Sequence, residues 1–402
     1  MKRQNKPLVD KQSALPFALV TSLFFIWGFA RAILDVLNKH FQMSMDITIT
    51  RSSMIQATTY LGYFLMAIPA GIFITRFGYR RGVVFGLTLF GVGALSFIPG
   101  EAAASFNMFL CSLFVIGCGL VFLETAANPY ISELGDPATA PSRLNLAQSF
   151  NGLGCIVAPV IVGSILFNSP EASVALPYSV MGIAVLAIAV MFCFVKLPEQ
   201  KKSACREVGK QSSTAATIGR LLGNRGFMLG VAALFFYEIA EISINTFFIN
   251  YATADGWLTP AQAATVLSVC GLGLFMLARV AGSVIMSRIR AEKVLAFCSV
   301  MTLCGALAVM LGLGAAGRYG IFLCYAFEAI MFPTIFAMTI PKAGSDTKMA
   351  GAIMMMTPVG GAVGTMLMGA TADTFGIARA FVVPFAGYLF VGYYAMRQLR
   401  RL

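Results

Sequence analysis

The sequence predicts an all-α membrane protein of about twelve transmembrane helices arranged as two six-helix bundles, and three observations carry that prediction. The 402 residues are 58% hydrophobic against 11% charged, a balance too apolar for soluble domains. Uncharged apolar runs near the ~20 residues that cross the hydrocarbon recur along the whole chain, and the mean hydropathy is +0.81. A single long polar stretch divides those runs six and six. The expected organisation is therefore an amino-terminal bundle over 1–195, a cytoplasmic linker over 196–225 and a carboxyl-terminal bundle over 226–402.

Taken in order, the first span (15–37) follows Met-Lys-Arg but is too long for a signal peptide and lacks a small-residue cleavage pattern. It carries Trp27, Arg31 and Asp35, and His40 beyond it is expected in a solvated loop. The second (53–75) runs into the basic turn Gly71-Ile-Phe-Ile-Thr-Arg-Phe-Gly-Tyr-Arg-Arg81, and the third (83–99) is uncharged. The fourth (106–130) places Glu124 five residues before Pro129. The fifth (144–168) sets Asn145, Gln148 and Asn151 three apart on one helical face, and the sixth (175–195) is apolar throughout. After the charged, Ser-rich linker, the seventh (226–252) carries Glu238, Glu241 and Asn245, and the eighth (261–286) carries Arg279. The ninth (293–313) is apolar, and the tenth (318–341) repeats the pattern of the fourth, with Glu328 five residues before Pro333. The eleventh (347–370) and twelfth (376–396) complete the second half. The matching Glu and Pro positions suggest an internal duplication.

The formal net charge of +12 could mean a nucleic-acid partner, so the placement of the charges decides. Most of the 29 Lys and Arg residues fall in the amino terminus, the even-to-odd connections and the carboxyl tail. Only Lys39, Arg51, Arg318 and Arg379 fall on the other side, and Arg31 and Arg279 fall inside spans. That is the positive-inside asymmetry with both termini cytoplasmic, and it excludes a nucleic-acid role for the charge. The nine cysteines show neither CxxC nor metal-ligand spacing and read as small core residues, so no metal is expected. No phosphate loop or catalytic constellation is present, which argues against an ATPase or any enzyme.

An ionisable side chain at the centre of a span costs at least about 2.5–3.5 kcal/mol, so each one is a functional candidate. Seven qualify: Arg31, Asp35, Glu124, Glu238, Glu241, Arg279 and Glu328. Acids outnumber bases five to two, so some acids are expected to carry a proton. Glu124 is the main proton candidate, because small residues and a backbone-loosening proline surround it. Asp35 lies one turn after Arg31, and the spacing fits either a neutralising pair or a switch broken by substrate or a proton. A hexose presents hydroxyls around an apolar face, and Trp27 with Asn145, Gln148 and Asn151 supplies an aromatic surface and amides to meet them. Glu241 and Asn245 extend that set, while Arg31, Arg279, Glu238 and Glu328 are candidate charge partners.

With these residues in hand, Gly71-x-x-x-Thr75-Arg76-x-Gly78-x-Arg80-Arg81 resembles the loop signature of the major facilitator superfamily. More specifically, four segments resemble the L-fucose:proton symporter branch of that superfamily. They are Leu34-Asp35-Val-Leu-Asn-Lys-His-Phe41, Leu123-Glu124-Thr-Ala-Ala-Asn-Pro129, Arg143-Leu-Asn-Leu-Ala-Gln148-Ser-Phe-Asn151, and Phe332-Pro-Thr-Ile-Phe336 followed by Gly344-Ser-Asp-Thr-Lys348. The resemblance implies that fold, a central cavity and alternating access. It also implies proton coupling at Glu124 and Asp35, with sugar contacts at Asp35, Gln148, Asn151 and Trp27. Leu34, Arg31, Asn245, Met331, Phe332 and Glu241 depart from fucose carriers, while relatives in the branch handle glucose, galactose and N-acetylhexosamines.

The expected function is import of a hexose with protons across the bacterial inner membrane. The carrier is expected to be a monomer in membrane lipid, driven by the proton gradient without any cofactor. A proton-coupled exporter of drugs or metabolites is the alternative.

Overall fold

The computed structural model describes residues 14–134, 140–168, 172–194, 214–286 and 288–400, and among these it contains helices and no strand. The first half comprises α1 (Ala14–Ser44), α2 (Ile49–Ser52), α3 (Met54–Phe77), α4 (Tyr79–Leu95), α5 (Phe97–Ala102), α6 (Phe106–Glu133), α7 (Ala140–Asn168) and α8 (Ala175–Phe194). The second begins with α9 (Thr214–Gly223), α10 (Arg225–Ala254) and α11 (Pro260–Val266). A π-helical segment, Leu267–Leu272, then joins α11 to α12 (Gly273–Met286). The chain continues through α13 (Ala291–Met310), α14 (Ala315–Glu328), α15 (Met331–Thr339), α16 (Thr347–Met354), α17 (Val359–Phe375) and α18 (Val382–Leu399).

Ten stretches among the described residues are long and apolar enough to cross a membrane. The expected eleventh span is interrupted between α16 and α17, just before Pro358, and the twelfth is the 18-residue α18. Most of the expected linker lies outside the described residues, but its last part is α9. Arg220 fastens that helix by donating to both carboxylate oxygens of Asp346 at 3.1–3.3 Å.

Packing divides the chain into two compact units. One contains Met1–Ala32, Leu65–Ala158 and Ser173–Lys210, and the other Ile33–Phe64, Pro159–Ala172 and Gln211–Leu402. Without water in the hydrocarbon, helices associate chiefly by close packing, and small residues let backbones touch. In the first unit a Cβ built on Gly86 would stand 2.9 Å from the carbonyl oxygen of Gly119, and one on Gly119 would stand 2.6 Å from that of Gly86. In the second unit Gly305 and Gly320 make the same reciprocal approach, at 2.4 and 2.7 Å. The contact between the third and fourth spans is thus repeated between the ninth and tenth.

A second pair repeats likewise. Gly28 meets the backbone of Asn151 across the first and fifth spans, and Gly360 meets the backbone of Phe235 across the seventh and eleventh. These repeats give the duplication suggested by Glu124 and Glu328 a geometric counterpart. Gly78, in the signature loop between α3 and α4, stands at φ +87°, a conformation open to glycine and strained for other residues.

Two expectations about side chains need correction. His40 is buried rather than solvated, because α1 runs on to Ser44 and packs the imidazole 6.0 Å from the Phe41 ring and 6.3 Å from that of Phe167. Of the cysteines, Cys118, Cys298 and Cys324 are buried, but Cys111, Cys193, Cys270 and Cys304 are exposed on the surface. A lipid-facing exterior accepts a thiol as readily as a core does, so an apolar setting alone does not report burial in a membrane protein.

Candidate functional site

Three helices of the first unit each present two polar or aromatic groups one turn apart: Trp27 and Arg31 on α1, Glu124 and Asn128 on α6, Gln148 and Asn151 on α7. Contacts knit them together. The Asn151 side chain donates to the Phe24 carbonyl at 3.2 Å, holding α7 on α1 beside Trp27, whose ring lies 5.9 Å from that of Phe24. Gln148 donates to Asn128 at 3.5 Å, joining α7 to α6. Arg31 lies within electrostatic reach of Glu124, joining α6 to α1. Trp27 is buried, while Arg31, Glu124, Asn128, Gln148 and Asn151 keep partial exposure. An acid that is half-covered, faces a cation and is flanked by amides can exchange protons and present hydroxyl-binding groups together. The side chain of Asn145 lies outside the described set.

Asp35, Glu238, Glu241, Asn245, Arg279 and Glu328 belong to the second unit. Asp35 is buried, and its Oδ1 accepts from Gln56 at 2.9 Å and from Thr246 at 3.3 Å. Glu238, Glu241 and Asn245 are buried on α10. The amide oxygens of Asn245 and Gln56 are buried with no hydrogen-bond partner, an arrangement that native structures rarely leave without a use. Arg279 donates its Nε to the Ala329 carbonyl at 3.1 Å and lies 4.7 Å from the Phe275 ring. Glu328 is fully buried and accepts a hydrogen bond from the Tyr388 hydroxyl.

Sequence reasoning passed over several polar groups of this unit. Gln42 donates to Asn38 at 2.7 Å and Ser52 at 2.8 Å, and Asn250 donates back to Gln42 at 2.6 Å, so the end of α1 is tied to α10 by a pair of amides. Gln56 and Thr246 stand out no more in the sequence, because single amides and hydroxyls in apolar runs, away from an acid or from a row of like groups, carry little signal. The one available signal was the one-turn spacing of Asn38 and Gln42. Arg143, counted among the connection charges, is fully buried, and its Nε donates to the Ile131 carbonyl at 3.0 Å near the end of α6.

A further missed residue is Asp373, which lies beyond the eleventh expected span. Its carboxylate accepts from the Ile49 N–H at 3.0 Å, the Thr50 N–H at 2.8 Å and the Thr50 hydroxyl, and so caps α2. Partial burial pushes this carboxyl up, but the hydrogen bonds of Thr50, Ile49 and Thr48 outweigh it and hold it below its ordinary value of 3.8. Because the group is exposed, Asp373→Asn is expected to cost only about 0.5–1 kcal/mol at neutral pH, read as a lower thermal midpoint in detergent. The stabilisation is present above pH 3.8 and lost as pH falls through the lower folded value, so the gap between the proteins should close in that acid window. A gap unchanged through that window would contradict the capping role.

Comparison with known proteins extends this picture. The Major Facilitator Superfamily profile matches residues 17–365. The L-fucose-proton symporter of Escherichia coli (strain K12) is 34% identical over 415 residues, covering 95% of this chain and 94% of that protein. The glucose/galactose transporter of Brucella abortus biovar 1 (strain 9-941) is 33% identical over 409 residues, covering 98% and 97%. The crystal structure of the Major Facilitator Superfamily transporter FucP in the outward conformation matches with a TM-score of 0.72 at 32% identity, over 96% of this chain and 99% of that one.

Proposed function

We propose, since the chain belongs to the Major Facilitator Superfamily, that it is a proton-coupled sugar symporter importing a hexose across the bacterial inner membrane by alternating access. As a member of that transporter family it is not an enzyme. Its halves are 1–195 and 226–402, both termini are cytoplasmic, and it works as a monomer in lipid with the proton gradient as its only energy source.

The observation that carries this reading is the three-helix cluster in which Glu124 faces Arg31 beside Trp27 and the amides of Asn128, Gln148 and Asn151. In the cycle, Glu124 takes a proton from outside and the hexose settles against Trp27 and the amides. Asp35, Glu241 and Asn245 are the sugar-ligand candidates of the second unit, and the buried, unpartnered oxygen of Asn245 is suited to a sugar hydroxyl. The loaded carrier reorients, the sugar leaves, and loss of the proton inside resets the cycle. One proton contributes about 2.3 kcal/mol per 100 mV, about fiftyfold in accumulation, which is enough to drive import.

The test is radiolabelled hexose uptake into proteoliposomes, competed by unlabelled fucose, glucose, galactose and N-acetylglucosamine, with and without a protonophore. Competition by at least one hexose and collapse of accumulation by the protonophore are expected. Uptake indifferent to the gradient, or to every hexose, would refute symport.

A further inference from the structure

The tenth span is broken at its acid. Helix α14 ends at Glu328 and α15 begins at Met331. Pro333 has no N–H, so the carbonyl of Ala329, four residues earlier, receives no helical donor. Arg279 supplies one instead, Nε to the Ala329 oxygen at 3.1 Å, and the helix resumes with the Thr334 N–H on Ile330. Pro129, in the equivalent fourth span, sits within a continuous α6. Among the described residues, the break therefore belongs to the second half.

Glu328 lies beside this break with no exposure to solvent. One carboxyl oxygen accepts from the Tyr388 hydroxyl, and the other is buried without any hydrogen-bond partner. The titratable groups around it are Tyr237, Glu238 and Glu241 on α10, Arg279 on α12, Cys324 and Tyr325 on α14 and Tyr388 on α18. Asp35, from the end of α1, acts on Tyr325 as well. This neighbourhood holds four acids and one base, and the base has spent one donor on a backbone carbonyl. A buried carboxylate with a single donor would leave a charge largely uncompensated, whereas a neutral acid leaves only one orphaned polar atom.

We propose that Glu328 is a second proton-loading carboxyl, protonated in this state. Its release site is the broken helix, where opening admits water to take the proton beside the Ala329 carbonyl that Arg279 holds. This rests on the symport reading above and adds to it that the second half contributes a proton of its own to each cycle. Tyr388 is a positioning residue that fixes one oxygen and leaves the other to carry the proton.

The experiment measures the proton-to-sugar ratio in proteoliposomes, from the sugar gradient that exactly balances an imposed proton gradient. Glu328→Gln is expected to couple one proton fewer, lowering the limiting accumulation at 100 mV about fiftyfold. An unchanged ratio in a folded, transporting Glu328→Gln carrier overturns the proposal while leaving symport intact. Gradient-independent uptake by the unsubstituted carrier would instead overturn symport itself, and this proposal with it. Should Glu328→Gln not fold, Tyr388→Phe keeps the carboxyl and the ring volume. Its infrared spectrum at neutral pH should retain a protonated-carboxyl stretch shifted from that of the unsubstituted protein, and the lack of any shifted band would overturn the assignment.

Discussion

Glu124→Gln should remove the proton that Glu124 couples, lowering gradient-driven accumulation of hexose about fiftyfold at 100 mV, while exchange of internal for external sugar continues. The expectation follows from the place of Glu124. It is half-covered on α6, within electrostatic reach of Arg31 and one turn from Asn128, which accepts from Gln148. Glutamine preserves the side-chain shape and the capacity to hydrogen-bond, and it resembles the protonated acid, so the loaded carrier can still form and reorient. It cannot release a proton, so the return of the empty carrier loses its coupling to the gradient. Exchange needs only the loaded form. A second signature distinguishes this from general damage: exchange by Glu124→Gln should vary less with pH than exchange by the unsubstituted protein. Full active uptake by the variant would remove Glu124 from the coupling machinery, and loss of exchange together with accumulation would recast it as a sugar ligand.

How far the residues alone reached depended on what each signal measures. Hydropathy located the spans well, because the distance across the hydrocarbon sets a length that composition reports directly. It failed at places governed by packing against other helices. The first span continues to Ser44 through Asn38, His40 and Gln42 because protein groups receive them; Asn250 meets Gln42, and Phe167 meets His40. A window that treats polar residues as water-seeking ends the helix too early there. The tenth span reads as one apolar run, and its break at Glu328 depends on Arg279, nearly fifty residues away, answering a carbonyl that Pro333 leaves open. The candidate acids stood out because charge inside a span is costly enough to be conspicuous. Amides, hydroxyls and the buried Arg143 carry the same structural weight in this fold with a fainter mark in the sequence.

The same packing logic makes Gly28→Val the most damaging small substitution expected outside the charged groups. A Cβ on Gly28 would stand 2.1 Å from the carbonyl oxygen of Asn151, and one on the facing Gly154 would stand 2.2 Å from that of Phe25. Both obstacles are backbone, so relief requires α1 and α7 to separate along their crossing. Separation breaks the bond from Asn151 to the Phe24 carbonyl and the weaker one from Cys155 to the Gly28 carbonyl, and it moves Trp27 away from the α7 amides. Overpacking of this kind typically costs about 1–3 kcal/mol, and misplacing binding groups by an ångström is enough to cost about a hundredfold in rate. Gly28→Val should therefore lower both the thermal midpoint in detergent and hexose transport, the latter by about two orders of magnitude, with sugar-dependent quenching of tryptophan fluorescence lost. Gly351→Ala is the control, since a Cβ there meets nothing within 4 Å and alanine favours the helix. It should transport as the unsubstituted protein does. Near-normal uptake by Gly28→Val would mean that the α1 and α7 contact can relax without disturbing the site, and that Trp27 and the α7 amides do not act on sugar as a unit.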